Sequence, residues 1–117
     1  MPNKTIALSE PFFNREDYRL LKKCIDEGWV STSGKYINQF ENKISKYTGS
    51  KYAIATINGT SALQISLKLI NVKQNDEIIV STLTFIAPVN AIRYNLANPI
   101  FMDVDNFYNI DEEKTIN

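Results

Sequence analysis

Apolar residues recur at helical spacing in two stretches near the start of the chain. Asn14 has the character of an N-cap with acidic residues just after it, and Gly28 would end the element, so we predict a first helix over Arg15–Glu27. A second apolar stripe predicts another helix, which Ser33 would cap and which Gly49 would end. Charged and amide residues fill the opposite faces, which we expect to face solvent.

From residue 52 onward, short continuous apolar runs replace the helical spacing and alternate with helical patterns. The predicted strands are Tyr52–Ile57, Glu77–Ser81 and Pro99–Asp103. The predicted helices are Thr60–Ile70, one with Pro88 in its first turn that runs to about Tyr94, and one that starts near Asp111. Apolar strands that alternate with helices are typical of an α/β fold whose mainly parallel sheet is covered on both faces. The predicted order is two leading helices, then β-α-β-α-β.

Composition narrows the possible functions. Thirteen basic and 13 acidic residues balance in the 117-residue chain, which disfavours electrostatic binding to nucleic acids. No apolar stretch approaches the roughly 20 residues of a membrane span, and the first residues lack a signal-peptide core. The absence of histidine argues against Ser-His-Asp or Cys-His catalysis and against the common zinc sites, so we expect no metal. Cys24 is the only cysteine, so an internal disulfide is excluded, and a reducing cytoplasm fits.

The stretch "TINGTSALQ" forms the predicted turn between a strand and a helix. Backbone N–H groups in the first turn of a helix are unpaired and suit a phosphate. Gly59 would let such a group approach the backbone, and the hydroxyls of Thr60 and Ser61 could donate to it. In the alternative interpretation, Asn-Gly makes an ordinary turn and Thr60 caps the helix. The stretch is neither a Walker loop nor a dinucleotide-binding fingerprint.

A second candidate stretch, "STLTFIAPVNAI", follows the strand Glu77–Ser81. Phe85 lies just past the carboxyl end of that strand, where an aromatic ring could stack on a flat cofactor, and Asn90 could reach into the same crevice. Alternatively, Phe85 is a core aromatic and Asn90 an exposed polar residue of a helix. Trp29 is interpreted as a packing anchor rather than a ligand group.

Four segments together resemble the DegT/StrS-type sugar aminotransferases, which are fold-type I pyridoxal-phosphate enzymes. These segments are "EGWVSTSGKYINQFE", "TGSKYAIATINGTSAL", "NDEIIVSTLTFIAPVNAI" and "NPIFMDVD". They occur in the order typical of the family and cover nearly the whole chain. The resemblance implies that residues 1–117 are an incomplete N-terminal portion of the large, cofactor-binding domain, so we expect the chain to be a fragment of a larger protein.

The resemblance also implies roles for individual residues. Those that match Thr60 and Ser61, with Gly59 beside them, hold the phosphate of pyridoxal 5'-phosphate in the family, and the residue that matches Phe85 stacks on its ring. The loop Ser31–Lys35 matches a family loop that lies by the active site.

That loop makes Ser33 and Lys35 candidates for substrate binding, together with Asn90. Ser-Gly-Lys stands in this loop where many members have Thr-Gly-Pro.

The reaction implied by the resemblance transfers an amino group from glutamate to a keto sugar carried on a nucleoside diphosphate. The resembling segments are most similar to members that act on 4-keto-6-deoxy-N-acetylhexosamines, carried on UDP, in the synthesis of nonulosonic acids such as legionaminic acid. Perosamine-forming members, which use a GDP-sugar, are the alternative. A cytoplasmic homodimer is expected of the complete enzyme.

No catalytic residue is assigned within the chain, because the Schiff-base lysine of the family lies downstream of the matching segments. The chain alone is therefore expected to be inactive. Three rivals stay open: a dehydratase of the same family with histidine in place of that lysine, a small phosphate-binding module without catalysis, and a non-catalytic remnant of a truncated reading frame.

Overall fold

The computed structural model describes residues 6–116, which divide into two compact units. The first unit extends to Ala55, and the second begins at Thr56. The first contains the helices α1 (Arg15–Asp26) and α2 (Lys35–Thr48). The second contains α3 (Gly59–Leu69), β1 (Glu77–Ser81), α4 (Ile86–Tyr94), β2 (Asn98–Met102) and α5 (Glu112–Ile116).

The helix α1 begins with a complete capping box. The Oδ1 atom of Asn14 accepts hydrogen bonds from the N–H groups of Glu16 (2.8 Å) and Asp17 (3.1 Å). The Asp17 carboxylate in turn accepts the N–H of Asn14 at 2.9 Å. These bonds satisfy donors that a helix start leaves unpaired, so Asn14 is confirmed as the cap. Gly28, at φ 73°, adopts the left-handed conformation just after the helix, as predicted.

The helix α2 begins without a side-chain cap. Its N-cap is Gly34, so the prediction that Ser33 caps this helix is wrong. The chain turns into α2 through an unusual backbone conformation at Gly34 (φ 148°), which places the cap position one residue after Ser33. The predicted end at Gly49, which is left-handed with φ 72°, is confirmed.

The predicted strand Tyr52–Ile57 is not a strand in this structure. The segment contains no helix or strand, and a strand needs a hydrogen-bonded neighbour. The N–H of Ala55 donates instead to the Glu41 carboxylate of α2 at 2.8 Å. The side chains of Ile54 and Ile57 are exposed. Within the described residues, the order is therefore helix, helix, then α-β-α-β-α.

The strands β1 and β2 pair in parallel, which confirms the predicted sheet type. The register runs from Glu77 opposite Asn98 to Ser81 opposite Met102. The helix α4 makes the crossover and packs against α3 and both strands. The predicted bounds of β1 are met at both ends, whereas α3 and β2 each begin one residue earlier than predicted.

The core of the second unit is small. Val80, Ile92 and Ala97 are buried together, and four half-buried residues pack around them, namely Leu67, Val72, Ile78 and Val89. Ile79 and its register partner Ile100 are 49% and 37% exposed, so the described residues do not cover both faces of the sheet as predicted. One face stays open because the sheet has only two strands in the described residues.

Candidate functional site

The turn that begins α3 is held by Asn58. The Oδ1 atom of Asn58 accepts the N–H of Ser61 at 2.8 Å, and its carbonyl oxygen accepts the N–H of Ala62 at 3.1 Å. The hydroxyl of Thr56 donates to the same carbonyl at 3.0 Å. Asn58 is therefore the cap, and the alternative in which Thr60 caps the helix is wrong.

The first turn of α3 keeps several donors free. The N–H groups of Gly59 and Thr60 find no acceptor among residues 6–116, and neither do the hydroxyls of Thr60 and Ser61. A Cβ atom built at Gly59 would meet nothing within 4 Å, so the space beside this backbone is open. A phosphate could bind here, because it would accept hydrogen bonds from two amides and two hydroxyls and would meet the positive end of the helix dipole.

Phe85 lies at the start of α4, where it is the N-cap residue in an extended conformation. Its side chain is 87% exposed, so it is not the core aromatic of the alternative interpretation. The hydroxyl of Ser81 fixes the turn before it, since this oxygen accepts the N–H of Leu83 and donates to the Leu83 carbonyl, both at 3.2 Å. The exposed ring is free to stack on a flat ligand.

Asn90 lies on α4 and is half-buried rather than exposed. In the described part of the chain, its side-chain amide forms no hydrogen bond. A half-buried amide with free donors and an acceptor suits a ligand contact. The interpretation of Asn90 as an exposed polar residue of a helix is therefore wrong, while its predicted contact with a ligand stays a prediction.

Ser33 and Lys35 belong to the first unit. The ammonium of Lys35 lies 2.5 Å from Oε2 of Glu27 and 5.1 Å from the centre of the Tyr36 ring. The hydrogen bond to the Glu27 carboxylate raises the pKa of Lys35 above its ordinary value of 10.5. The hydroxyl of Ser33 has no partner among the described residues. Lys35 is thus engaged within its own unit, and Ser33 is free.

Sequence reasoning missed Asn58 and Glu41. Asn58 stands directly before Gly-Thr-Ser, and the known preference for asparagine at an N-cap is the signal that identifies it. Glu41 holds the Ala55 amide across 14 residues, for which the sequence carries no local signal. Among residues 6–116 there is no group of three potential metal ligands and no helix long and apolar enough to cross a membrane.

Comparison with known proteins places these features in a family. GDP-perosamine synthase of Escherichia coli O157:H7 is 42% identical over 103 residues, which is 88% of this chain and 28% of that protein. The structure of NtdA from Bacillus subtilis, with bound cofactor PMP, is 31% identical with a TM-score of 0.77 over 97% of this chain and 28% of NtdA. The E. coli GDP-4-keto-6-deoxy-D-mannose-3-dehydratase, with bound hydrated PLP, is 26% identical with a TM-score of 0.79 over 91% of this chain and 29% of that one.

The chain thus spans less than a third of the length of these relatives. Their bound PLP and PMP confirm the predicted cofactor class at the level of the family, and their structures confirm the predicted fold. The predicted closeness to legionaminic acid enzymes is not shown and stays a prediction. Residues 12–116 match the profile of the DegT/DnrJ/EryC1/StrS aminotransferase family, and the chain belongs to that family.

Proposed function

We propose that the protein carrying this chain is a sugar aminotransferase that uses pyridoxal 5'-phosphate, and that residues 1–117 form the N-terminal portion of its cofactor-binding domain. The family match over residues 12–116 carries this proposal. The free donors at the start of α3 support it, because they provide what the cofactor phosphate needs. A homodimer in the cytoplasm is proposed for the complete enzyme.

Within this proposal, the residues of the chain bind and orient the cofactor. The amides of Gly59 and Thr60 and the hydroxyls of Thr60 and Ser61 would donate to the phosphate. The exposed ring of Phe85 would stack on the pyridine. When bound, pyridoxal phosphate supplies the electron sink that amino-group transfer requires. The catalytic lysine lies outside these 117 residues, so we expect the chain alone to have no transaminase activity.

For the substrate, we propose a nucleotide-linked 4-keto-6-deoxy sugar, with glutamate as amino donor. Two versions compete. Identity of 42% with a GDP-perosamine synthase favours a GDP-linked sugar. The combination of "GWVS…GKY" with "TGSKYAIATINGT" favours a UDP-linked N-acetylhexosamine. Incubating the protein with glutamate and each nucleotide sugar, followed by mass spectrometry of the products, distinguishes them. A mass that reports replacement of the keto oxygen by an amino group supports the aminotransferase.

A dehydratase is the second candidate, because one solved relative is the E. coli GDP-4-keto-6-deoxy-D-mannose-3-dehydratase. A product that has lost one sugar oxygen and retains no added nitrogen, with glutamate consumed as the reductant, would favour this candidate. The residue at the downstream catalytic position, lysine or histidine, provides an independent test.

The phosphate site is tested by the substitution Thr60→Ala. It removes one hydroxyl donor to a charged acceptor, worth about 1.5–3 kcal/mol, and should raise the cofactor Kd about ten- to a hundredfold. Because Asn58, not Thr60, caps α3, the melting temperature of the cofactor-free protein should barely change. The measurement is a cofactor titration beside melting curves of the cofactor-free protein.

Asn58→Ala provides the matched control. It removes the cap and should lower the stability of the cofactor-free protein by about 1 kcal/mol. An unchanged Kd in Thr60→Ala would show that "TINGTSALQ" is an ordinary turn without a phosphate site.

A further inference from the structure

The loop that joins α1 to α2 is attached to the end of α1. The N–H of Trp29 donates to the carbonyl of Cys24 at 2.8 Å, and the N–H of Val30 donates to that of Gly28 at 3.1 Å. The backbone of Trp29 is therefore fixed to the last turn of α1. Its side chain stays 45% exposed.

The other end of the loop is held by the Trp29 side chain. A Cβ atom at Gly34 would lie 2.8 Å from Cε3 and 3.3 Å from Cδ2 of the indole, so the ring lies directly against the Gly34 backbone. No larger residue fits there without moving the ring, and φ 148° also favours glycine. The ion pair between Lys35 and Glu27 joins the same two ends a second time.

Between these two attachments, the loop presents three hydroxyl residues, Ser31, Thr32 and Ser33. All three are exposed, and their hydroxyls form no hydrogen bond within residues 6–116. The adjacent cation, Lys35, is already paired with Glu27. The loop therefore offers neutral donors and acceptors without a free positive charge, which suits the hydroxyl groups of a sugar better than a diphosphate.

We propose that Trp29 is a positioning residue: its indole, packed on Gly34, holds the hydroxyls of Ser31–Ser33 in place for the sugar part of the nucleotide-sugar substrate. This inference rests on the proposed function. A flexible eight-residue loop would lose conformational entropy on binding, whereas a loop held at both ends has already lost most of it. The proposal assigns the loop to the hexose rather than to the nucleotide.

The test compares two ligands in the complete enzyme: the nucleotide sugar and the corresponding nucleoside diphosphate alone. Trp29→Leu removes the flat ring and should raise the Kd of the nucleotide sugar about tenfold, which equals the loss of one or two neutral hydrogen bonds. The Kd of the bare diphosphate should stay within twofold. Calorimetric titration measures both without turnover. Tyr47→Leu is the matched control, because Tyr47 is an aromatic residue of the same unit that is 90% exposed.

Two further variants keep the inference testable if Trp29→Leu is unstable. Trp29→Phe keeps a flat ring and should restore most of the sugar affinity. Gly34→Ala drives a methyl group into the indole and should reproduce the selective loss. Equal losses for both ligands, or no loss for either, would overturn the inference.

Turnover separates this inference from the proposed function. In turnover with glutamate as amino donor, Trp29→Leu should raise KM for the nucleotide sugar. A wild-type protein that binds the nucleotide sugar but never transfers nitrogen would refute the proposed function, and the Kd ratio would still decide the role of Trp29. A wild-type protein that binds no nucleotide sugar would refute both.

Discussion

The two units of the chain differ in what holds their helices. In the first unit, α1 begins with a capping box, α2 ends at the left-handed Gly49, and neither helix contains a buried residue. In the second unit, α4 contributes two buried residues and packs against α3 and both strands. Helices of 12–14 residues are marginal in water by themselves, so local signals and packing are two distinct sources of stability.

This difference means that equivalent substitutions should have unequal effects in the two units. An apolar side chain in the first unit contributes mainly helix propensity and partial contact. In the second unit, the same side chain fills space beside β1 and β2. Substitutions matched in chemistry but placed in different units can therefore separate the two sources of stability.

The largest effect is expected from Ile92→Ala. Ile92 is 3% exposed in the core cluster, and its truncation should cost about 2–5 kcal/mol of unfolding free energy because a cavity remains. Ile25→Ala in α1 is the matched change at a side chain that is 69% exposed, and it should stay within about 0.5 kcal/mol. Urea unfolding monitored by amide hydrogen exchange measures the unfolding free energy of each unit. Similar losses in both variants would mean that the first unit is packed as tightly as the second.

A buried amide provides the next test. Asn95 is buried, and its Nδ2 donates to the carbonyls of Ala91 (2.9 Å) and Gln64 (3.1 Å), which ties α4 to α3. Asn95→Ala leaves two carbonyls without this donor and should cost about 1–3 kcal/mol. Asn98→Ala is the control, since Asn98 is exposed and its Nδ2 makes one long bond of 3.4 Å to Asn75. Thermal melts should rank the two variants, and a larger loss in Asn98→Ala would contradict the role assigned to Asn95.

The sequence predicts helices better than sheet partners, and the reason is physical. Asn14, Gly28 and Gly49 act within a few residues, so their effects can be inferred from spacing alone. The segment Tyr52–Ile57 has the composition of a strand, but a strand also needs a partner. In the structure, Glu41 takes the Ala55 amide instead, a contact that spacing does not reveal.

The candidate site follows the same rule. The helix start at Gly59–Ser61 and the position of Phe85 past β1 are local features, and the sequence predicts both. The alternative in which Thr60 caps α3 is wrong. Asn58 and Thr60 are both residue types that cap helices, and the backbone geometry makes Asn58 the cap. Likewise, the contact of Trp29 with Gly34 depends on the path of the loop, which no periodicity describes.

A smaller effect should come from the cap of α1. Asn14→Ala removes one side of the capping box and should cost about 1 kcal/mol, with a loss of helical circular dichroism. Ser33→Ala is the control in the same unit, because Ser33 was predicted to cap α2 but does not. We expect no change in helicity from it. A comparable loss in Ser33→Ala would indicate that the hydroxyl caps α2 in solution after all.

The smallest effect concerns exposed ion pairs, one set in each unit. In α1, a hydrogen bond from Arg19 lowers the pKa of Glu16. In the second unit, Lys114 lies 2.8 Å from Asp103 and 3.3 Å from Asp111, and the pKa values of both aspartates lie below their ordinary 3.8. Groups whose pKa is lowered on folding stabilise the protein above the unfolded value and lose that contribution as pH falls through the folded value. The contribution of these pairs to stability should therefore be complete above about pH 4.5 and should fade as the pH falls below that value.

Lys114→Met should separate the two aspartates. The pKa of Asp103 is lowered chiefly by the side-chain hydrogen bond from Lys114, so it should rise towards 3.8 in the variant. The pKa of Asp111 is lowered chiefly by the backbone N–H of residue 114, which donates at 3.1 Å and survives the substitution. The pKa of Asp111 should therefore rise less than the pKa of Asp103, and the pKa of Glu16 should not change. Carboxyl NMR titration of both proteins measures all three values. Equal rises at Asp103 and Asp111 would show that the ammonium, rather than the start of α5, controls both groups.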